Sequence, residues 1–397
     1  MAALPEVQTA MTWFGRNEGQ IAEWQLQGAA IPAPPFGETE RACWLAERFR
    51  ELGLVDVHSD DVGNVFGIRR GLEPSPKFVA VTAHLDTVFP AGTIVRPRRE
   101  GPRLYGPGIS DNAAGFSAML ALAAALQRAD IKHFAPIVFI GNVGEEGEGD
   151  LRGMRRIFSD AHWSEAIAAT LVLDGAGADS IVAEALGSRR FEVVVRGPGG
   201  HSWSDFGAPN PIVLLARAVD RFSQVRVPSQ PKTTFNIGVI RGGTSVNSIP
   251  ESASMRVDVR STSEAEIDRL EAALRTALDQ VVMSDALPSG KPGQRGSGAS
   301  YEARIIGSRP AGDLNGNARL LQVIRAVDAY LGNTSQVQRA STDANVPLSM
   351  GREAVAIGGG GTGGGAHTLQ EWFDCSGREM ALKRILLTVL TLAGVGE

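Results

Sequence analysis

Apolar strands alternate with helices along this chain, and that alternation leaves few ways to fold. The pattern predicts strands at 78–84, 136–141 and 170–173, with helices at 113–127 and near 150–159 between them. Strands that are apolar throughout are covered on both faces, which predicts a mostly parallel sheet sandwiched by helices, an α/β fold. The same alternation returns after Pro310, with a helix at 316–331, a strand at 353–357 and a helix at 376–393. Between these halves the order changes to strand 190–195, helix 211–222, strands 233–240 and 253–260, helix 264–282 and strand 301–306. That βαββαβ order is the split arrangement of ferredoxin-like α+β domains. The expectation is a discontinuous domain of residues 1–187 and 308–397, with a smaller domain of residues 188–307 inserted. A length of 397 residues suits two cores better than one. Residues 1–30 and 38–52 read as helices, short strands as 55–58 and 64–69. The Gly-, Pro- and Ser-rich linker 284–300 reads as a mobile loop.

A net charge of −5 without a basic block argues against a nucleic-acid partner. The longest helical apolar stretch, 113–126, falls short of the roughly 20 residues that span a bilayer, so no membrane partner is expected. The N-terminus has no basic region followed by an apolar run, which gives no sign of a signal peptide. Cys43 and Cys375 cannot build a disulfide framework and read as two buried thiols in a reducing compartment. Together these features predict a cytoplasmic protein.

The chemistry sits where the strands end. His84 closes strand 78–84, and Asp86 follows two positions later, a spacing that shares one face in extended chain. An imidazole held by a carboxylate on its other nitrogen is well suited to bind metal. Asp111 precedes helix 113–127, Glu145 and Glu146 follow strand 136–141, Asp174 follows strand 170–173, and His367 follows strand 353–357 and a glycine run. In a parallel α/β sheet these positions converge at the carboxyl edge. Two imidazoles and several carboxylates suit zinc or a similar divalent ion. Five ligands suit two metals roughly 3.5–4 Å apart that share a carboxylate, which leaves one of Glu145 and Glu146 for proton transfer. Taken singly each residue has a plainer reading: His84 with Asp86 as a core pair, Asp111 as a helix cap, Glu145 and Glu146 as a solvated acidic loop, Asp174 as a turn residue, His367 as a surface histidine. Their common place at strand ends favours the joint reading, a metal-dependent hydrolase.

The segments Ala83-His-Leu-Asp-Thr-Val88, Gly108-Ile-Ser-Asp-Asn-Ala-Ala-Gly115, Gly144-Glu-Glu-Gly147 and Gly199-Gly-His-Ser202, with His367, resemble the di-zinc aminoacylase, carboxypeptidase G, peptidase T and acetylornithine deacetylase family of metallopeptidases. The resemblance covers nearly the whole chain. It implies that Asp111 bridges two metals, that His84 and Asp174 complete one, and that Glu146 and His367 complete the other. It implies a cis Asp111–Asn112 bond, Asp86 as the partner of His84, and Glu145 as general base toward a water shared by the metals. The inserted domain would be a lid and dimerisation domain, making the protein a homodimer. His201 would then act in the partner's active site on the oxyanion. Asn247 and Arg260 would bind the carboxylate of the substrate.

The resulting expectation is an amidohydrolase of small peptides bearing a free carboxylate, with zinc, or else cobalt or manganese, as cofactor. An N-acyl-amino-acid deacylase and a non-catalytic ligand-binding protein on the same scaffold are the competing readings. The glycine run 358–365 is either a close approach to a ligand or a flexible loop. Ser341-Thr-Asp343 receives no role.

Overall fold

Four strands whose side chains are almost all buried, Ile137–Asn142, Phe78–His84, Ile167–Leu173 and Ala354–Ile357, lie side by side in that order and run parallel. In a computed structural model that describes residues 1–72, 77–282 and 298–396, they form the centre of a mixed nine-stranded sheet. Its flanks are antiparallel. Val55–Ser59 and Val65–Arg69 add to one side, and Ser180–Ala185 with Gly312–Asp313 to the other, while Gln336–Ala340 pairs with Ser180–Ala185 in parallel. Short apolar strands carry no mark of direction in their sequence, which is why only the parallel centre was expected.

The described residues divide into two compact units, Met1–Ala185 with Gly312–Glu397, and Leu186–Ala311. In the first, the helix Ala113–Arg128 is buried from Ala113 to Leu126. A helix that is apolar all round needs neighbours on every side. It has the sheet below and the helices Pro5–Arg16, Glu18–Ala30 and Arg378–Ala393 around it. The approach is closest at Gly28, where an added Cβ would stand 2.4 Å from the Phe116 ring. The expected helix 1–30 is two helices, parted at Asn17, whose main-chain N–H and side-chain amide both return to the Trp13 carbonyl. Cys375 is buried, but Cys43 is exposed, because the inward face of helix Thr39–Glu51 is made by Ala42, Leu45, Ala46 and Phe49.

The second unit is a four-stranded antiparallel sheet in the order Thr233–Gly242, Ser252–Ser261, Gly187–Arg196, Ser300–Arg309. Helices Pro211–Ser223 and Glu264–Val282 share one apolar core with it, built from Phe191, Val257, Leu215, Phe222, Leu270 and Leu274 among others. Strand order and connections are those of a ferredoxin-like fold. Residues 284–297 of the expected linker loop lie outside the described residues.

Candidate metal centre

The carboxyl ends of the parallel strands gather His84, Asp111, Glu145, Glu146, Asp174 and His367 into one cluster, buried at His84, Glu145 and Glu146, part-buried at Asp111 and Asp174, and exposed at His367. Three overlapping groups have ligand atoms within 4.8 Å of one another: His84 with Asp111 and Asp174, Asp111 with Glu146 and His367, and His84 with Glu145 and Glu146. Asp111 is the hinge between two of them. Its Oδ1 is 3.0 Å from His84 Nε2 and its Oδ2 is 3.1 Å from His367 Nε2. Asp174 Oδ1 lies 3.7 Å from His84 Nε2, and Glu146 Oε1 lies 3.1 Å from His367 Nε2. His367 adopts a left-handed backbone, φ 64°, a conformation uncommon outside glycine. The Asp111–Asn112 bond is cis.

Asp86 does more than the spacing suggested. His84 Nδ1 is nearest the Asp86 main-chain carbonyl, at 3.1 Å, and stands 3.6 Å from the carboxylate. That carboxylate accepts hydrogen bonds from the N–H groups of Glu145 (3.0 Å) and Glu146 (2.7 Å). One buried side chain thereby ties the histidine strand to the acidic loop. Asn112 forms a second tie: its side chain donates to the Leu173 carbonyl and accepts from Gly175 N–H, on either side of Asp174.

The electrostatics follow from crowding carboxylates in a buried place. Burial alone would pull His84 down, but its hydrogen bonds to Asp111, Asp174 and Asp86 hold it well above the ordinary imidazole value. Hydrogen bonding to Asp111 likewise lifts His367 to about 9. Burial would raise Asp111, yet the two imidazoles keep it well below the usual carboxylate range. Burial and the neighbouring Asp111 push Glu146 up to about 7. Carboxylates outnumber imidazoles, so both histidines are driven toward their charged form. Divalent cations supply the positive charge such a cluster lacks, and a mixed N/O donor set of this kind suits them.

Two buried carboxylates were not assigned from sequence. Glu371 accepts from the N–H groups of Gly108, Ser110 and Asp111. Asp343 is fully buried, accepts from Asn142 Nδ2 at 2.6 Å, and is raised to about 7 by burial. The glycine run is a matter of space. An added Cβ would meet the Ala176 carbonyl at 2.4 Å from Gly358, the Ala114 carbonyl at 2.7 Å from Gly359 and Ser110 Oγ at 2.4 Å from Gly363. Close packing against the protein itself calls for glycine at these three positions.

His201, Asn247 and Arg260 belong to the second unit and are described within it. His201 lies in a two-residue ladder in which it pairs with Ser248, and the Asn247 carbonyl accepts from Ser202 N–H, so these two turns are adjacent. Both side chains are exposed. Arg260 is ion-paired to Asp258 at 2.7 Å, eight residues beyond Ser252 on its strand, roughly 26 Å at strand rise. The structure joins His201 with Asn247 and leaves Arg260 apart from them.

An α/β scaffold with a two-centred donor cluster at its sheet edge defines a class, the metal-dependent hydrolases. The sequence profile of peptidase family M20/M25/M40 matches residues 80–391, and the chain belongs to that family. It is an enzyme, a metal-binding peptidase. The Bacillus subtilis protein YqjE is 25% identical over 364 residues, covering 86% of this chain and 90% of that one. Several fungal proteins named "probable carboxypeptidase" match at 30 to 32% identity over 53% of this chain and 52% of their own length. Among solved structures, the aminopeptidase PepT of Bacillus cereus aligns with a TM-score of 0.74 at 20% identity, covering 94% of this chain and 98% of that one. YXEP of Bacillus subtilis, described as a dinuclear metal binding peptidase, aligns with a TM-score of 0.68 at 15% identity, covering 96% and 99%.

Proposed function

We propose that the chain hydrolyses the amide bond of small peptides that carry a free carboxylate, using two divalent cations. His84, Asp111 and Asp174 would hold one cation, and Asp111, Glu146 and His367 the other. The observation that carries this reading is Asp111, whose two oxygens each stand about 3 Å from a different histidine. When bound, the cations supply Lewis acidity and make water a nucleophile near neutral pH. Zinc is the natural ion for two imidazoles with carboxylates, with cobalt or manganese as substitutes.

The remaining work belongs to side chains of this protein. Glu145, buried beside His84 and Glu146, accepts a proton from the attacking water and delivers it to the departing amine nitrogen. Asp86 fixes both His84 and the Glu145–Glu146 backbone, so base and ligands keep one geometry. The unit Leu186–Ala311 acts as lid and dimerisation domain, with His201 donating to the oxyanion in the partner's site; Asn247, beside His201, and Arg260, apart from both, would reach a substrate carboxylate only from different subunits. Its exposed Ile212, Val213, Val239, Ile240 and Val246, and the exposed second half of edge strand Thr233–Gly242, support an interface there. A cytoplasmic setting completes the reading; among the described residues no helix is long and apolar enough to cross a membrane.

The test is a panel of dipeptides, C-terminally amidated dipeptides and N-acyl amino acids, offered to chelator-stripped and metal-reconstituted enzyme. Cleavage of free dipeptides, absent after stripping and restored by zinc, is the expected result. Turnover confined to N-acyl amino acids would replace the peptidase reading with a deacylase, and no turnover with both cations bound would remove catalysis altogether.

A further inference from the structure

Glu371 is fully buried and has no part in the chemistry above. Its Oε2 accepts from Gly108 N–H at 2.8 Å, and its Oε1 accepts from Ser110 and Asp111 N–H at 2.8 and 2.7 Å. Its own carbonyl accepts from Gly106 N–H at 3.0 Å. Four of the six residues from Gly106 to Asp111 are thus bonded to one residue. From the other side Gln25 Nε2 donates to the Ile109 carbonyl at 2.6 Å, and Gln25 is itself held by Arg378. The loop needs such a template. Gly106 and Gly108 have φ of 149° and 74°, so its path lies outside the conformations the chain prefers. Hydrogen bonds to an ionised acceptor are the strong ones, and three on one carboxylate satisfy its charge with main-chain dipoles.

Glu371 also stands four residues after His367. The same short segment therefore carries one member of the Asp111–Glu146–His367 group and grips the backbone of another. We propose that Glu371 is a positioning residue that sets Asp111 and His367 in register, so that the cation site they share with Glu146 is built before the cation arrives. The proposal rests on the reading of these three residues as ligands. A buried acid that merely satisfied a loop would affect stability; one that positions Asp111 and His367 weakens cation binding, most at the site His367 completes.

The test uses full-length protein. Hydrogen exchange in the segment 106–112 is followed in cation-stripped wild type and Glu371→Gln, together with calorimetric titration by zinc. In stripped wild type the segment is expected to be protected. In the variant its exchange accelerates at least about tenfold, while the segment carrying the Glu145 and Glu146 amides, which Asp86 holds, is unchanged. Zinc binding weakens unequally, by about 10- to 100-fold at the equivalent His367 completes, the usual cost of losing a group that orients a ligand, and by less at the other, and kcat returns to the wild-type value at saturating zinc. An unprotected segment in stripped wild type overturns the proposal even should the variant fail to fold. Unchanged exchange in the variant, equal weakening of both equivalents, or a kcat that zinc does not restore overturns it as well. His367→Ala separates the two claims. If it retains both equivalents, the ligand reading fails on its own account, whatever exchange shows for the loop.

Discussion

His84 and His201 are both histidines in short polar motifs, and the fold treats them in opposite ways. His84 is 1% exposed, ends a central strand and meets three carboxylates. His201 is exposed, sits in a two-residue ladder, and its Nδ1 accepts from the N–H groups of Trp203 and Ser204 two and three residues on. The donor cluster is braced within its own unit: Asp86, Asn112 and Glu371 each bind backbone of another loop that carries a cluster residue. The His201 turn is finished only as a turn. What separates them is bracing rather than burial alone: the exposed His367 still meets Asp111 and Glu146, whereas His201 meets its own turn.

That contrast can be broken at either end. The largest expected effect is in the cluster: Glu145→Ala retains both cations and loses kcat by up to about 10⁴-fold. Steady-state kinetics beside metal analysis reads this, and unchanged turnover would remove Glu145 as the base. Next is His201→Ala, expected to lower kcat about 10²–10³-fold with little shift in Tm, since the side chain is exposed and its hydrogen bonds stay within its own turn. Mixed dimers of His201→Ala and Glu145→Ala should regain activity, because each site then draws its missing group from the other chain. Proven heterodimers without recovery would confine His201 to its own subunit or to none.

A smaller effect is expected at Arg260, whose loss removes a charged hydrogen bond worth about 1.5–3 kcal/mol from the substrate carboxylate, so KM rises about 10- to 100-fold. Stability should change by less than about 1 kcal/mol, as its pair with Asp258 is part-exposed. A KM that stays put, read on free and amidated dipeptides, would return Arg260 to the role of a surface ion pair.

The smallest effect is on the pH dependence of stability. Glu146 and Asp343, raised to about 7, keep protons that the unfolded chain gives up near 4.5 and 3.8. The folded state binds more protons in that window, so the cation-free protein loses stability as pH rises toward 7. His367, raised to about 9 from 6.5, carries the loss on toward pH 9. Asp86 and Asp111, lowered by their histidine partners, act in the opposite sense, but in acid below about pH 4. Scanning calorimetry should show Tm falling from pH 5 to 9 in stripped protein and holding level when cations are bound. A stripped Tm that climbs over this range would mean the carboxylates are not crowded as described.

The sequence exposed the parts of this site that topology dictates. Once buried strands alternate with helices, their ends converge, and His84, Asp111, Glu145, Glu146, Asp174 and His367 could be read as neighbours. The ferredoxin-like order of the inserted segment was legible for the same reason. Hidden were groups whose partners are main-chain N–H, which leave no mark in a sequence: Glu371 beneath the Asp111 loop, and the second function of Asp86. Asp343 was hidden because burial, not spacing, makes it unusual. The glycine run was ambiguous because a close approach to protein and a close approach to ligand ask for the same residue. Cys43 fell on the outer face of a helix by a single position.

If Asp111 joins two cation sites, active enzyme must carry two cations, and they can be counted. Plasma-source mass spectrometry on pure protein of measured activity should find two divalent ions per chain, one at least lost, with turnover, in Asp111→Asn. Full activity in protein that holds no divalent ion would contradict the account at its centre.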